Sequence, residues 1–299
     1  MTEVYAFIAA QTTDFTVLDL CQSLGVSRSG YYAWQQRPAH TDEMTAPVKA
    51  AFWRHKRRYG ARRLAVELQA EEYVIGRRRI RRIMQAENLQ AIQPKSFVPR
   101  TTNSKHGGRM SPHLLVDLEV THPHQVYVSD ITYLPILGGG WAYLATWMDL
   151  YTRRIVGWAV AATMTADLIL RALQQAIVRV APPKGLIVHS DRGGQYVDTE
   201  FRALLAAQGF RQSMSRTDEK YDNPHAESLF SRYKAELLED GAFRDVVEAE
   251  LETFDYIERY YNPVRRHSAL GYVSPLDFEA AYYQRAKKPL RNSKERKQS

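Results

Sequence analysis

A chain of 299 residues has room for two or three modules, one of them with a sizeable core. The single cysteine, Cys21, excludes an internal disulfide and fits a reducing cytosol, and no apolar run approaches the ~20 residues a membrane span needs. The formal charge of +8 is concentrated: residues 51–110 hold fifteen Lys or Arg against four acids, the electrostatic footprint of nucleic-acid binding.

The chain opens on "MTEVYAFIAAQTTDF", whose short apolar run has no basic flank and is not read as a signal peptide. "TVLDLCQSLGVSRSGYYAW" then predicts helix, turn, helix, with Gly25 at the turn and Ser27 capping the second helix. Its hydroxyls, Arg28 and two tyrosines are suited to a phosphate backbone, or the pair only packs on its neighbours. After Pro38 a second helical module is expected: a helix near 46–57, another in "YGARRLAVELQAE", and a third in "IGRRRIRRIMQAEN". In the last, Ile80, Ile83 and Met84 mark a buried face, and arginines crowd the rest. Arg77, Arg78, Arg81 and Arg82 are therefore candidate DNA contacts. Residues 93–112, rich in Pro, Gly, Ser and Lys, read as a linker or an arm.

Beyond the linker the pattern becomes β. "VYVSDITYL", "GGWAYLATWMDL" and "RRIVGWAVAA" are strand-like runs joined by the turn signals "GGG" and "YTRR". A helix (166–180), a strand "GLIVHS", a helix (198–208), a short strand "FRQSMS" and the helix of "NPHAESLFSRYKAEL" follow. This order predicts a mixed α/β domain with helices on both sheet faces. Asp130 falls within the first strand, Asp191 just after the fourth, and Glu227 on the later helix, which Asn223 and Pro224 can start. Each acid alone has a structural reading, as a turn cap, a loop start or a solvated flank. If the first and fourth strands are neighbours, the three converge, and their repulsion calls for a divalent cation with hard oxygen ligands. Asp149 is read instead as a hairpin-turn residue. His189, beside the site, either contacts substrate or packs. Further on, "YNPVRRHSALGY" offers Arg265, Arg266 and His267 as DNA contacts or as a brace for the C-terminal part, with DNA preferred for the arginines.

Thirty-five residues separate Asp191 from Glu227. With Asp130 they resemble the DD(35)E triad of retroviral integrases and bacterial transposases. "VSDITYL", "WMDLYTRRIVGWAV", "GLIVHSDRGGQY", "SMSRTDEKYDNPHAESLFSRYKAEL" and "YIERYYNPVRRHSALGYVSPLDFE" are similar to successive motifs of the third insertion-sequence family, in its downstream-frame product, OrfB. "LGVSRSGYYAW" and "YGARRLAVEL" match its N-terminal part. The resemblance runs from about residue 5 to 285. The sequence departs from the family pattern at Tyr127, Gly194 and Pro224.

This resemblance implies a ribonuclease-H-like catalytic core, a mixed five-stranded sheet with flanking helices, preceded by small all-α helix-turn-helix modules. The corresponding division is a helix-turn-helix-like segment (1–40), a basic three-helix module (41–92), a basic linker (93–120), the catalytic core (121–240), a helical extension (241–285) and a disordered basic tail (286–299). It implies a DDE polynucleotidyl transferase that nicks DNA at element ends and transfers the freed 3′-OH, in copy-out, paste-in transposition. Asp130, Asp191 and Glu227 would be the catalytic and metal-binding acids, holding two Mg²⁺ ions for which Mn²⁺ substitutes. Lys234 would contact the DNA end, and Asn223 caps the helix, contacts DNA, or does both. The implied partners are terminal inverted repeats and target DNA, further copies of the chain on DNA, and the upstream protein OrfA or a frameshift fusion with it. The implied location is the bacterial cytoplasm, at the nucleoid when DNA-bound.

Overall fold

The computed structural model describes residues 2–36, 42–94, 110–216, 224–239 and 241–287. Helices α1 (Thr2–Gln11), α2 (Val17–Ser23) and α3 (Arg28–Gln35) form a first small unit. The cap expected at Ser27 forms, accepting from the Gly30 amide, and Thr16 caps α2 in the same way, accepting from the Asp19 amide. Helix α1, which the sequence pattern does not announce, buries Tyr5 and Ile8 against Cys21 and Tyr31. Tyr31 is thereby withdrawn from any phosphate contact, whereas Tyr32 stays exposed.

A second unit packs α4 (Thr45–Arg54), α5 (Ala61–Ala70) and α6 (Arg77–Ala86) around Val48, Phe52, Leu64, Leu68, Ile80 and Ile83. On α6 the apolar positions recur at three and four, so one stripe is buried and Arg77, Arg78, Arg81 and Arg82 are left exposed. Arg79, between the two faces, is tied to Asp42 at 2.7 Å.

The third unit is built on a five-stranded sheet in the order β3-β2-β1-β4-β5. Strands β1 (Val126–Pro135), β2 (Trp141–Asp149) and β3 (Ile155–Ala161) form an antiparallel meander. Strands β4 (Ile187–Ser190) and β5 (Arg211–Met214) join it in parallel. The crossover helices α7 (Ala166–Val180) and α8 (Thr199–Gln208) cover one face, over Tyr127, Ala145, Trp147 and Val188. The approach is close at Gly157 on β3, where a Cβ would lie 2.1 Å from the Ala172 carbonyl of α7. The opposite face carries α9 (Pro224–Leu238), α10 (Val246–Phe254) and a π-helical turn (Asp255–Tyr261), while α11 (Pro275–Lys287) sets Phe278 and Tyr282 against Tyr151 of the β2–β3 turn. Leu229, Phe230, Tyr233, Ala249, Tyr256 and Ile257 pack there on Leu134, Leu144 and Trp158.

The segment assigned to the linker is part of this unit from Met110 onward. Leu114, Leu115, Leu118 and Val120 pack on Val126, Val128, Met148 and Ile187. Ser111 bonds Gln212 at 2.7 Å, and the Leu114 amide donates to Ser213 at 2.9 Å. The reason is chemical: "HLLVDLEV" supplies an apolar stripe that covers the sheet next to β4 and β5, although the chain around it is basic. Among the described residues no helix is long and apolar enough to cross a membrane.

Candidate active site

Strands β1 and β4 are parallel neighbours, with Val128 opposite His189. Two residues beyond this pair come Asp130, still within β1, and Asp191, just past the end of β4. The Asp130 carboxylate accepts from the Ile131 amide at 2.8 Å, and that of Asp191 from the Gly193 amide at 3.0 Å. Both carboxylates are half-buried. They bracket a phenol that sequence reasoning did not find, Tyr196, which follows Asp191 by five residues. Its hydroxyl is 2.9 Å from Ser129 Oγ. Burial, then the negative charges of Asp191 and Asp130, push its pKa far up, so the phenol stays protonated. One buried phenol thus senses both acids.

The loop after β4 is held in place from three sides. Ser190 Oγ bonds the Asp191 carbonyl at 2.9 Å, Arg192 Nε bonds the Ser215 carbonyl at 2.7 Å, and Gln195 bonds the Met164 carbonyl at 3.1 Å. At Gly193 a Cβ would sit 3.1 Å from Asp191 Oδ1, so the absence of a side chain keeps the backbone close to the carboxylate. His189 is fully buried and bonds Ser213 at 2.8 Å, so it packs rather than meets substrate.

Helix α9 crosses the same face of the sheet as Asp130. Its buried positions Leu229, Phe230 and Tyr233 orient it, and Tyr233 is locked by a hydrogen bond to Thr253. Lys234, next on the helix, is half-buried. Burial lowers its pKa and the Asp130 carboxylate opposes that shift, which places the ammonium within electrostatic reach of the acid. Glu227 lies in the first turns of α9, one heptad before Lys234 and hence on nearly the same side of the helix. Its side chain and the whole of Asn223 lie outside the described residues. Among the described residues no group of three or more metal-ligating side chains occurs. Asp149 acts as expected of a turn residue, its carboxylate taking the amides of Tyr151 and Thr152 at 2.8 and 2.9 Å.

Comparison with known proteins places the chain in a family. Residues 120–220 and 208–275 match two families described as integrase core domain, and residues 39–97 match one described as HTH-like domain. The transposase InsF for insertion sequence IS3A of Escherichia coli (strain K12) is 38% identical over 288 residues, covering 92% of this chain and 98% of that protein. The chain belongs to the IS3 family of insertion-sequence transposases. An uncharacterized 31 kDa protein of insertion element IS600 from Shigella sonnei is 40% identical over 273 residues, covering 89% of this chain and all of that protein. Among solved structures, the HTLV-2 integrase catalytic core domain in complex with magnesium overlays with a TM-score of 0.40 at 14% identity, covering 53% of this chain and 97% of that one. The transposase therefore works in DNA transposition and integration, as a polynucleotidyl transferase that binds DNA.

Two arginines of the expected DNA surface have other work. Arg265 is buried and pairs with Glu236 at 2.6 Å. Arg266 pairs with Glu67 of α5 at 2.6 Å and bonds the Tyr272 carbonyl at 3.0 Å. Around this pair the second helical unit docks on the core. The Arg266 amide donates to Tyr59 Oη at 2.8 Å, Arg63 bonds the Arg266 carbonyl at 2.9 Å, and the Arg58 guanidinium lies 4.4 Å from the Tyr260 ring centroid. The expected DNA role of Arg265 and Arg266 is corrected to bracing, because the buried Glu236 neutralises the first and the half-buried Glu67 the second. Hydrogen bonds from His55 and Arg266 outweigh its partial burial and hold the Glu67 carboxyl down at about 2.

Proposed function

We propose that this transposase cuts and joins DNA with a DDE site made of Asp130, Asp191 and Glu227. What supports the reading is that Asp130 lies on β1 and Asp191 directly follows β4, its parallel neighbour, on the sheet that the helix bearing Glu227 packs against. The donor set fits a hard divalent cation, since the acids offer carboxylate oxygens and His189, two residues before Asp191, is committed to Ser213. Asp130, Asp191 and Glu227 would hold two Mg²⁺ ions, or Mn²⁺ in their place. When bound, such ions lower the pKa of water or of a 3′-hydroxyl and offset the charge of the reacting phosphate.

The protein's own groups supply position. Lys234 sits near Asp130 in a partly desolvated setting, where an ammonium binds a phosphate of the DNA end more strongly than in open water. The bare backbone at Gly193 gives a sugar-phosphate chain close access to Asp191. In nicking, a water oxygen bonds to phosphorus as the 3′-oxygen leaves, yielding a 3′-hydroxyl and a 5′-phosphate. In joining, that hydroxyl attacks a second phosphodiester and one P–O bond replaces another. No protein nucleophile is required, and Tyr196, held protonated, does not act as one. Asn223 is assigned to the helix start or the DNA end. Arg77, Arg78, Arg81 and Arg82 are assigned to DNA phosphates. The copy-out, paste-in course, assembly of several copies on DNA and cooperation with OrfA belong to the same proposal.

The test is to incubate the full chain, alone and with its upstream partner, with labelled element ends and Mg²⁺ or Mn²⁺. Joined products that vanish with EDTA support the reading. Cleavage without joining under every condition would replace it with a nuclease.

A further inference from the structure

Between α9, the β2–β3 turn and the C-terminal segment lies a cavity of about 190 Å³. Its walls carry Arg63 from α5, Arg153 from the turn, Arg232 and Ser228 from α9, and Arg265 and His267. Four guanidinium groups facing one space repel each other, and nearby acids only partly compensate. Glu236 is committed to Arg265. Asp149 acts on Arg153 but its carboxylate also takes the turn amides and the His124 amide. Among the described residues, neither Nη1 of Arg153 nor Nε2 of His267 has a hydrogen-bond partner, although both atoms are buried. Buried donors without partners are costly, and a site that gathers them around surplus positive charge is matched to an anion. His267 agrees: burial, then Arg265, Arg63, Arg153 and Arg232, depress its pKa to about 3, so it is a neutral ring that can donate one hydrogen bond. Arg153 is also held in the left-handed conformation, with φ of 61°, a backbone state that few non-glycine residues adopt.

We propose that this cavity is a phosphate-binding site that takes a backbone phosphate of bound DNA, separate from the carboxylate centre. It rests on the reading of the chain as a DNA-joining enzyme. Ser228 and Arg232, one helical turn apart, lie on the flank of α9 about 100° around from the stripe of Glu227 and Lys234. One helix would therefore present its catalytic acid on one side and an anchor for DNA on the next. Because Arg63 comes from the second helical unit, a phosphate here would also neutralise repulsion across the junction between that unit and the core.

The test uses the full chain, Arg153→Gln and Arg232→Gln, with Asp130→Asn as a separate control. Thermal melting is followed with millimolar inorganic phosphate at constant ionic strength. The wild type should gain melting temperature in a saturable way, and each Gln variant should lose most of that gain. Arg232 is exposed on α9, so its substitution separates loss of the site from loss of the fold. In each Gln variant one DNA phosphate goes unneutralised, so the slope of log DNA affinity against log salt should flatten by about 0.9. Asp130→Asn should keep both responses while losing joining, so a failure of the carboxylate chemistry leaves the cavity's test intact. No saturable phosphate effect, or the same effect in all variants, would overturn the site. A phosphate effect with an unchanged salt slope would overturn its assignment to DNA and make it a site for free anions.

Discussion

At the scale of single residues, groups that act on substrate are distinct from groups that hold the scaffold. Lys234 and Glu227 share a side of α9, yet they should fail differently. Lys234→Ala should weaken binding of the element end and its resistance to salt, while measurable joining survives at saturating DNA; titrating joining against DNA concentration checks this. A second residue prediction concerns His124, whose ring lies 3.4 Å from Asp149 and 3.3 Å from Glu279. Burial opposes its charge, but hydrogen bonds to Asp149 and Glu279 win and raise its pKa to about 9 from 6.5. A raised folded-state value stabilises the fold fully below the unfolded value, so this contribution is complete below pH 6.5 and disappears as pH rises through 9. Urea unfolding of wild type and His124→Gln should show a gap of about 1–3 kcal/mol at pH 6. That gap should shrink markedly by about pH 9.5, above the folded-state value, and a pH-independent gap would contradict the ion-pair reading.

At the scale of elements, the strands and their order were legible because β-branched and aromatic residues cluster between clear turn signals, and the β1–β4 adjacency follows from the order of crossovers. Asp130 and Asp191 each follow the Val128–His189 pair by two residues, a consequence of that adjacency. What stayed hidden depends on partners distant in sequence. "NPVRRH" has the look of a basic turn, and nothing within it tells that Glu236, twenty-nine residues earlier, and Glu67, in another unit, neutralise its arginines. Residues 110–120 were obscured by the basic stretch before them, and Tyr196 has no motif that marks it as the neighbour of two acids. The tight packing of β3 on α7 is likewise invisible in a lone glycine. Gly157→Ala would press its Cβ on the Ala172 carbonyl and lie 3.0 Å from Ala176 Cβ. It should cost about 1–3 kcal/mol. At this size that lowers the melting temperature by several degrees. On α6, replacing Arg77, Arg78, Arg81 and Arg82 by Gln should leave the fold intact, since its core residues are Ile80, Ile83 and Met84. The salt dependence of DNA binding should flatten by about 0.9 for each phosphate that is no longer neutralised. An unchanged slope would remove α6 from the DNA surface.

For the whole molecule, Glu67, Arg266, Tyr59 and Tyr260 dock the basic three-helix unit on the core. The central claim is that the carboxylates, not the fold or the DNA surface, perform the reaction. The most direct measurement is strand joining by Glu227→Gln and Asp130→Asn with pre-bound labelled ends, in Mg²⁺ and in Mn²⁺, beside DNA affinity and melting temperature for the same samples. The expected result is folded variants that bind DNA as the wild type does and join it only at background level with either metal. Joining near the wild-type rate by either variant would contradict the claim.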